Sequence, residues 1–436
     1  MLSKVKSWGF GIAIILATAG VWMSGEIARS QTNSIGLEAV KVGIPEIWRG
    51  APFDRERSVN VPKGFQIAVL ARIPKARFMA VAPNGDVLVS QPSTGSIKLI
   101  RGSSVTNFAT GLNQPHDMVF HQLGSKMFVY VAETNRVIRY PYTSGDSSGK
   151  NLEVVIKDLP SASLPELGGR YGHALKNIAI DSKDRLFVSI GSSCNVCKND
   201  TTADPVRGSI YVYDTDGQNG RLYARGIRNA EGLDFVPGTN ELWVVINNRD
   251  NAPYPYQNDF DGDGKSDYGK VMQAFVDNYP LEPFTKVRDG GDYGWPFCNS
   301  NNLSGVDNMP FDRDMDMNQD GSSRDCSKID RVSKGIQAHS APLGVSFLGD
   351  SSFPMPYREG AVSALHGSWN RATKTGYKVI FFPWKDGKPG TEQDLVSGFL
   401  EGGQPWGRPV DAVPDNKGGL LISDDYSGTV YRLSKK

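Results

Sequence analysis

KNIAIDSKDRLFVSIG, Lys176 to Gly191, reads as two short strands around a polar turn: apolar residues alternate, Asp181 to Asp184 interrupts them, and a second apolar run reaches Ile190. The same unit recurs in both directions along the chain. It appears as FMAVAPNGDVLVS from Phe78, HDMVFHQLGSKMFVYVA from His116, EGLDFVPGTNELWVVIN from Glu231, a stretched PLGVSF…GAVSALHG from Pro342, and RPVDAVPDNKGGLLISD from Arg408. A further strand opened by Gly or Asn follows most units: GSIKLI, NRVIRY, GSIYVY, GYKVIFF and GTVYRL. Each unit therefore offers three or four antiparallel strands. Period-2 alternation gives such small sheets two partly apolar faces, and stacking sheet on sheet buries both. Six units are too many for one sandwich, and closing them in a ring predicts an all-β, six-bladed β-propeller of four-stranded antiparallel sheets. GFQIAVLAR, from Gly64, belongs to no repeat of its own and is expected to complete the last blade. The propeller is placed at 64–436, after an N-terminal extension over 32–63. The stretches 251–292 and 299–339 break the pattern and read as long loops on one face, where sites are often shaped.

Composition agrees with this reading. The 436 residues are 39% apolar, enough for a large core, and 48 Gly, 26 Pro and 10% aromatics suit short strands and tight turns. With 48 Lys+Arg against 47 Asp+Glu, the chain has no overall field to attract nucleic acid, so a small-molecule partner is expected. Lys4 and Lys6 precede an apolar run from Trp8 to Met23, which marks residues 1–31 as an export signal. The run is long for a cleaved signal and short for a membrane span, so it is either removed or retained as an anchor. The protein is expected in the periplasm or outside the cell, with membrane contact only through a retained anchor. Export favours disulfides, and proximity in sequence pairs Cys194 with Cys197 and Cys298 with Cys326.

Just upstream of most repeats stand residues rarely spent on plain turns: Arg77, His116 with Asp117, His173 with Lys176, Arg228 with Asn229 and Glu231, His339, and Arg408. In a propeller these converge on one mouth as a polar, net cationic pocket suited to an anionic cofactor. Two loops, DFDGDGKSD (Asp259 to Asp267) and DMNQDGSSRD (Asp316 to Asp325), carry acidic or amide oxygens at alternate positions followed by Gly, like the first half of an EF-hand loop. The closing Glu is absent; Lys270 and Ser327 stand in its place. Asp259, Asp261, Asp263 and Asp267 are therefore candidate ligands of a partial Ca²⁺ site, with a solvated acidic turn as the alternative.

Five blocks carry a family resemblance: GHALKNIAIDSKDRLFVSIGSSCNVC, GIRNAEGLDFVPGTNELWVV, GDYGWPFC, HGSWNRATKTGYKV and GRPVDAVPDNKGGLLISDDYSGTVYRL. In this order they resemble the signature blocks of sorbosone dehydrogenase-like proteins and the soluble quinone-dependent glucose dehydrogenases. The resemblance implies a propeller that holds pyrroloquinoline quinone (PQQ), usually with Ca²⁺, and oxidises a sugar or sugar aldehyde by hydride transfer, with an unidentified acceptor taking the electrons onward. By the same resemblance His173 is the catalytic base, Arg228 and Asn229 contact the quinone, Arg408 binds a cofactor carboxylate, and the carbonyls of Asn248 and Arg249 ligate Ca²⁺. Relative to the glucose-oxidising branch, Ser192 replaces the acidic residue that orients the histidine. Asn370 replaces a cofactor lysine and Trp406 a cofactor arginine, with Arg371 as the nearby substitute. Two other functions fit a propeller with such a mouth: a calcium-dependent lactonase, and a binding module without chemistry.

Overall fold

In this computed structural model, residues 36–436 are described; the proposed export segment, 1–31, lies outside them. The alternating apolar pattern makes each repeat the two inner strands of a blade, and the strand that follows it makes the third. Blade 1 comprises Met79–Val81, Val87–Gln91, Ser96–Arg101 and Ser104–Ala109, and blade 2 Met118–Leu123, Lys126–Ala132, Val137–Tyr142 and Glu153–Ile156. Blade 3 starts with Ile178–Ile180 and Arg185–Ile190, blade 4 with Ala230–Phe235 and Leu242–Ile246, blade 5 with Pro342–Phe347 and Gly360–Leu365, and blade 6 with Pro409–Pro414 and Gly419–Asp424. All neighbouring strands within these four-stranded sets run antiparallel. The outermost strand of blade 6 is Phe65–Arg72, paired from Phe65 with Lys435 to Arg72 with Thr429, so the N-terminal strand closes the ring.

Aromatic side chains fill the gaps between blades. Phe187 of blade 3 meets Phe235 of blade 4 with ring centroids 5.4 Å apart, and Phe284 of blade 4 meets Phe382 of blade 5 at 5.0 Å. The innermost strands surround a narrow central cavity of about 180 Å³. The extension folds on the outside: Leu37–Lys41 pairs with Ser58–Pro62, Asn60 bridges to Ser397, and Phe53, Val59 and Val61 join the apolar cluster of blades 5 and 6. Cys194–Cys197 and Cys298–Cys326 are both bonded, as expected from their spacing. Among the described residues no helix is long and apolar enough to cross a membrane.

The stretches read as loops contain part of blade 4. Its third and fourth strands are Glu282–Val287 and Val332–Ile336, with Asp307–Met309 beyond them. The reason is local. EPFTKV opens on Glu and Pro instead of the Gly or Asn that marks the other third strands, and its partner VSKGI follows a 44-residue gap.

Candidate active site

Inner strands begin near the propeller axis, so the residues just ahead of them meet at one end of the ring. These residues come from every blade: Arg77 precedes blade 1, His116 blade 2, His173 and Lys176 blade 3, Arg228 and Asn229 blade 4, His339 blade 5, and Arg408 blade 6.

His173 and Asn229 pack on either side of Gly191. A Cβ at that position would lie 2.7 Å from both His173 Cβ and Asn229 Oδ1, so glycine is required for the two side chains to approach. Nδ1 of His173 lies 2.9 Å from both the carbonyl oxygen and Oγ of Ser192, and Ser192 Oγ donates onward to Cys194 O at 2.8 Å. A carbonyl only accepts, so Nδ1 carries the hydrogen and Nε2 keeps a lone pair. Burial, then the adjacent Arg228 cation, pull the imidazole down to about 4. It is therefore neutral and basic at Nε2 at neutral pH. Ser192 orients the ring through its main chain as well as its hydroxyl, which compensates for the missing carboxylate.

From Asn229 the polar network runs across the centre. Asn229 donates to Glu231 Oε1 at 2.9 Å, while Glu231 Oε2 is buried without a hydrogen-bond partner, 3.9 Å from His116 Nε2. Nδ1 of His116 donates to Lys176 O at 3.2 Å, and its Nε2 accepts from Arg77 at 3.3 Å. Arg77 also bonds Asp425 at 3.1 Å, and Asp425 accepts a second bond from His366 at 2.9 Å. Arg408 completes the circle by donating to the carbonyls of His366 and Gly367 at 3.0 and 2.9 Å. Burial lowers His116 and His366 and brings Lys176 down to about 7. It also raises Glu231.

This donor set fits an anionic cofactor. Arg77, Arg228, Arg408 and Lys176 face Glu231, Asp250 and Asp425, Arg408 pairs with no carboxylate among the described residues, and the orphaned Glu231 Oε2 and Arg77 Nε lie at the centre. The calcium expectation fares differently. Arg228 Nη1 donates to Asn248 O at 2.7 Å and Asn247 O at 3.3 Å, and its Nη2 bonds Asp250 at 3.1 Å. The carbonyl expected to meet a divalent ion already accepts from a guanidinium. The side chain of Arg249 is buried in ion pairs with Asp314 and Asp316, and its carbonyl accepts no hydrogen bond among the described residues. With the Arg228 cation on Asn248 O, this pair of carbonyls does not fit Ca²⁺.

Other sequence-predicted residues are distributed as follows. His339 sits beside Asp250, 3.5 Å from it; burial works against its charge, but Asp250 and Glu282 hold it above its ordinary value. Asn370 bonds Asn251 at 2.9 Å, and Arg371 donates to the carbonyls of Asp277 and Ala338, which links the blade 5 loop to the blade 4 insertion. Trp406 is buried, its indole donating to Gly398 O at 2.8 Å and its ring against Phe399, so it offers the mouth no donor. Asp259, Asp261 and Asp267 bring one carboxylate oxygen each to within 4.8 Å of one another, whereas Asp263 instead caps Lys265 N at 2.8 Å. The second acidic loop is tied to protein groups: Asn318 Oδ1 accepts from Ser323 and Arg324, and Asp316 from Arg249. His366, Asp250 and Asp425 went unrecognised because they follow second strands instead of preceding inner ones. The HG and SDD that end the fifth and sixth repeats were the available signal.

A ring of six four-stranded blades carries, at one end of its axis, a part-buried neutral histidine beside a cluster of cationic side chains. The chain belongs to the TrAA12-like family, whose model matches residues 59–436. It is 23% identical over 445 residues to the pyrroloquinoline quinone-dependent pyranose dehydrogenase of Coprinopsis cinerea, covering 88% of this chain but only 56% of that protein. It is 24% identical over 385 residues to an uncharacterized protein of Borreliella burgdorferi, covering 86% of this chain and 90% of that one. Among solved structures, the holo PQQ domain of the Coprinopsis pyranose dehydrogenase superposes with a TM-score of 0.69 at 19% identity, covering 90% of this chain and 98% of that domain. A Trichoderma reesei carbohydrate-active enzyme of family AA12 gives 0.69 at 17%, covering 87% and 98%. These superpositions establish the fold. The Coprinopsis relative falls on the quinone-dependent side of the resemblance seen in the sequence, and none of the relatives named here is a sorbosone enzyme.

Proposed function

We propose that the protein is an exported dehydrogenase that oxidises a sugar hydroxyl, of aldose or sugar-aldehyde hydrate type, with pyrroloquinoline quinone as its cofactor. The observation that carries this reading is His173, whose Nδ1 is held by Ser192 so that Nε2 keeps its lone pair, at the end of the ring where Arg77, Arg228 and Arg408 also gather. Membership of the TrAA12-like family supports it, as does the similarity to the Coprinopsis enzyme. When bound, the quinone supplies a two-electron acceptor. The chain's own residues bind and orient. Asn229, with its amide fixed by Glu231, and Arg408, with a guanidinium free of carboxylates, would hold the cofactor, and His173 takes the proton of the substrate hydroxyl at Nε2. Two disulfides suit an oxidising compartment outside the cytoplasm.

Titration of the purified protein with the quinone, with and without Ca²⁺, followed by dye reduction against sugars and sugar aldehydes, tests the proposal. Saturable binding and substrate-driven reduction are expected. His173→Ala is expected to lose at least about 100-fold in kcat while still binding quinone, the usual worth of a general base. Turnover without any quinone would instead favour the lactonase reading. A requirement for Ca²⁺ in quinone binding would mean that a metal displaces Arg228 from Asn248 O.

A further inference from the structure

We infer that the pocket between the N-terminal extension and blade 6 is a second saccharide subsite, which holds the non-reacting units of an oligosaccharide whose end enters the ring; this rests on the dehydrogenase reading above. The pocket encloses about 480 Å³, within the range of small-molecule sites. Pro52, Arg55 and Arg57 of the extension form one wall, and the other is made by Pro405 and Trp406, at the end of the hairpin that pairs Leu400–Glu401 with Gln404–Pro405 ahead of blade 6, and by Tyr426 of blade 6. Its walls are fixed by their own contacts. Arg55 and Arg57 share Glu401 at 3.0 and 2.7 Å, Arg57 Nε donates to Pro52 O at 2.9 Å, and the Arg57 guanidinium lies 5.3 Å over the Trp406 ring.

The pocket adjoins the mouth. Tyr426 follows Asp425, the carboxylate that Arg77 and His366 share, and is 55% exposed. The blade 5 loop that begins at His366 carries Trp369, 73% exposed, and its Lys374 donates at 2.9 Å to Gly403 O, in the hairpin that walls the pocket. Among the described residues these are the only strongly exposed Trp and Tyr, and they stand on adjacent loops at the same end of the ring. A sugar ring presents an apolar C–H face inside a rim of hydroxyls. Exposed aromatic planes pack the first, and planar guanidinium and carboxylate groups bond the second. The arginines do not make this a phosphate site, because Glu401 and Asp54 together balance their two charges. An acyl chain would have to desolvate Asp54 and Arg55 in the same walls.

The test compares the wild type with Tyr426→Ala on glucose, cellobiose and cellotriose and on the matching manno series. Calorimetry on the quinone-free protein measures binding, and steady-state kinetics of the quinone-loaded enzyme measures kcat/KM. We expect the wild type to favour the longer saccharides. Tyr426→Ala should lose about 3–10-fold on them, the worth of one aromatic contact, and leave kcat/KM for the monosaccharide unchanged. No gain with chain length, an equal loss on short and long substrates, or no saccharide binding by either method overturns the subsite. Length-dependent binding that Tyr426→Ala abolishes, in a protein that oxidises none of these sugars, retains the subsite and removes the dehydrogenase reading instead.

Discussion

His173 is held by two acceptors from one residue, the carbonyl and hydroxyl of Ser192, and this division of labour sets what mutations there do. Ser192→Ala leaves the carbonyl bond, so kcat/KM should fall only about 3–10-fold, the value of one neutral hydrogen bond. Ser192→Asp places a carboxylate beside the ring, which favours the imidazolium and raises the histidine pKa from about 4 toward its ordinary value. Because the base must be neutral to act, activity in the wild type should rise with pH through about 4 and level off well below neutrality. In Ser192→Asp the acid limb of the kcat/KM profile should move up by a unit or more, roughly the effect of one adjacent charge. An unmoved limb would show that the titration belongs to another group. His173 and its companions at the mouth were visible in the sequence because inner-strand onsets recur at fixed offsets from the repeats. Arg228 was visible too, but as a cofactor ligand. Its engagement with Asn248 O and Asp250 depends on the insertion after the second strand of blade 4, which no periodicity encodes.

At the scale of elements, three alternate blades are fastened to the next by one aspartate each. Asp117 of blade 2 bonds Ile178 N of blade 3 at 3.0 Å, Asp234 of blade 4 bonds Phe347 N of blade 5 at 2.7 Å, and Asp411 of blade 6 bonds Met79 N of blade 1 at 3.0 Å. In each, the other oxygen caps the residue that follows, Met118, Phe235 or Ala412. Burial raises Asp117 to about 8 and Asp411 to about 7, with repulsion from Asp411 adding to the first and from Asp234 to the second. For a carboxylate whose folded pKa is raised, the folded state holds the proton more tightly than the unfolded chain. Its contribution to stability is full below about 4 and is lost as pH rises through about 7 to 8. Thermal midpoints should therefore fall between pH 5 and 8.5, and Asp117→Asn should flatten that decline. Asp117→Ala orphans two buried N–H groups and should cost about 1–3 kcal/mol for each at acid pH, and less as pH rises toward about 8. The repeats HDMVF, GLDFV and PVDAV each display the aspartate in sequence, but nothing in one strand's alternation says that its side chain reaches across to another blade.

For the molecule as a whole, what the sequence made legible was the repeat, and through it the number of blades and the closing strand at Gly64. The outer half of blade 4 escaped because its strands are separated by an insertion that a disulfide, Cys298–Cys326, and the Arg249–Asp314 pair hold in place instead of a hairpin turn. Closure by Phe65–Arg72 has an energetic consequence that the blades taken singly do not. The ring stacks every blade between two others, so releasing the closing strand exposes an edge of blade 6 and the apolar faces beside it. Ile67, 2% exposed in the seam and paired with Leu433, is the place to test this. Ile67→Ala should cost about 2–5 kcal/mol, whereas Val154→Ala, on the exposed outer strand of blade 2, should cost under about 0.5 kcal/mol. In urea, the loss of near-ultraviolet and far-ultraviolet dichroism should remain coincident in Ile67→Ala, shifted together to lower denaturant. If the two signals separate, with blade 6 melting ahead of the rest, then the closing strand fastens one blade and the ring does not unfold as a unit.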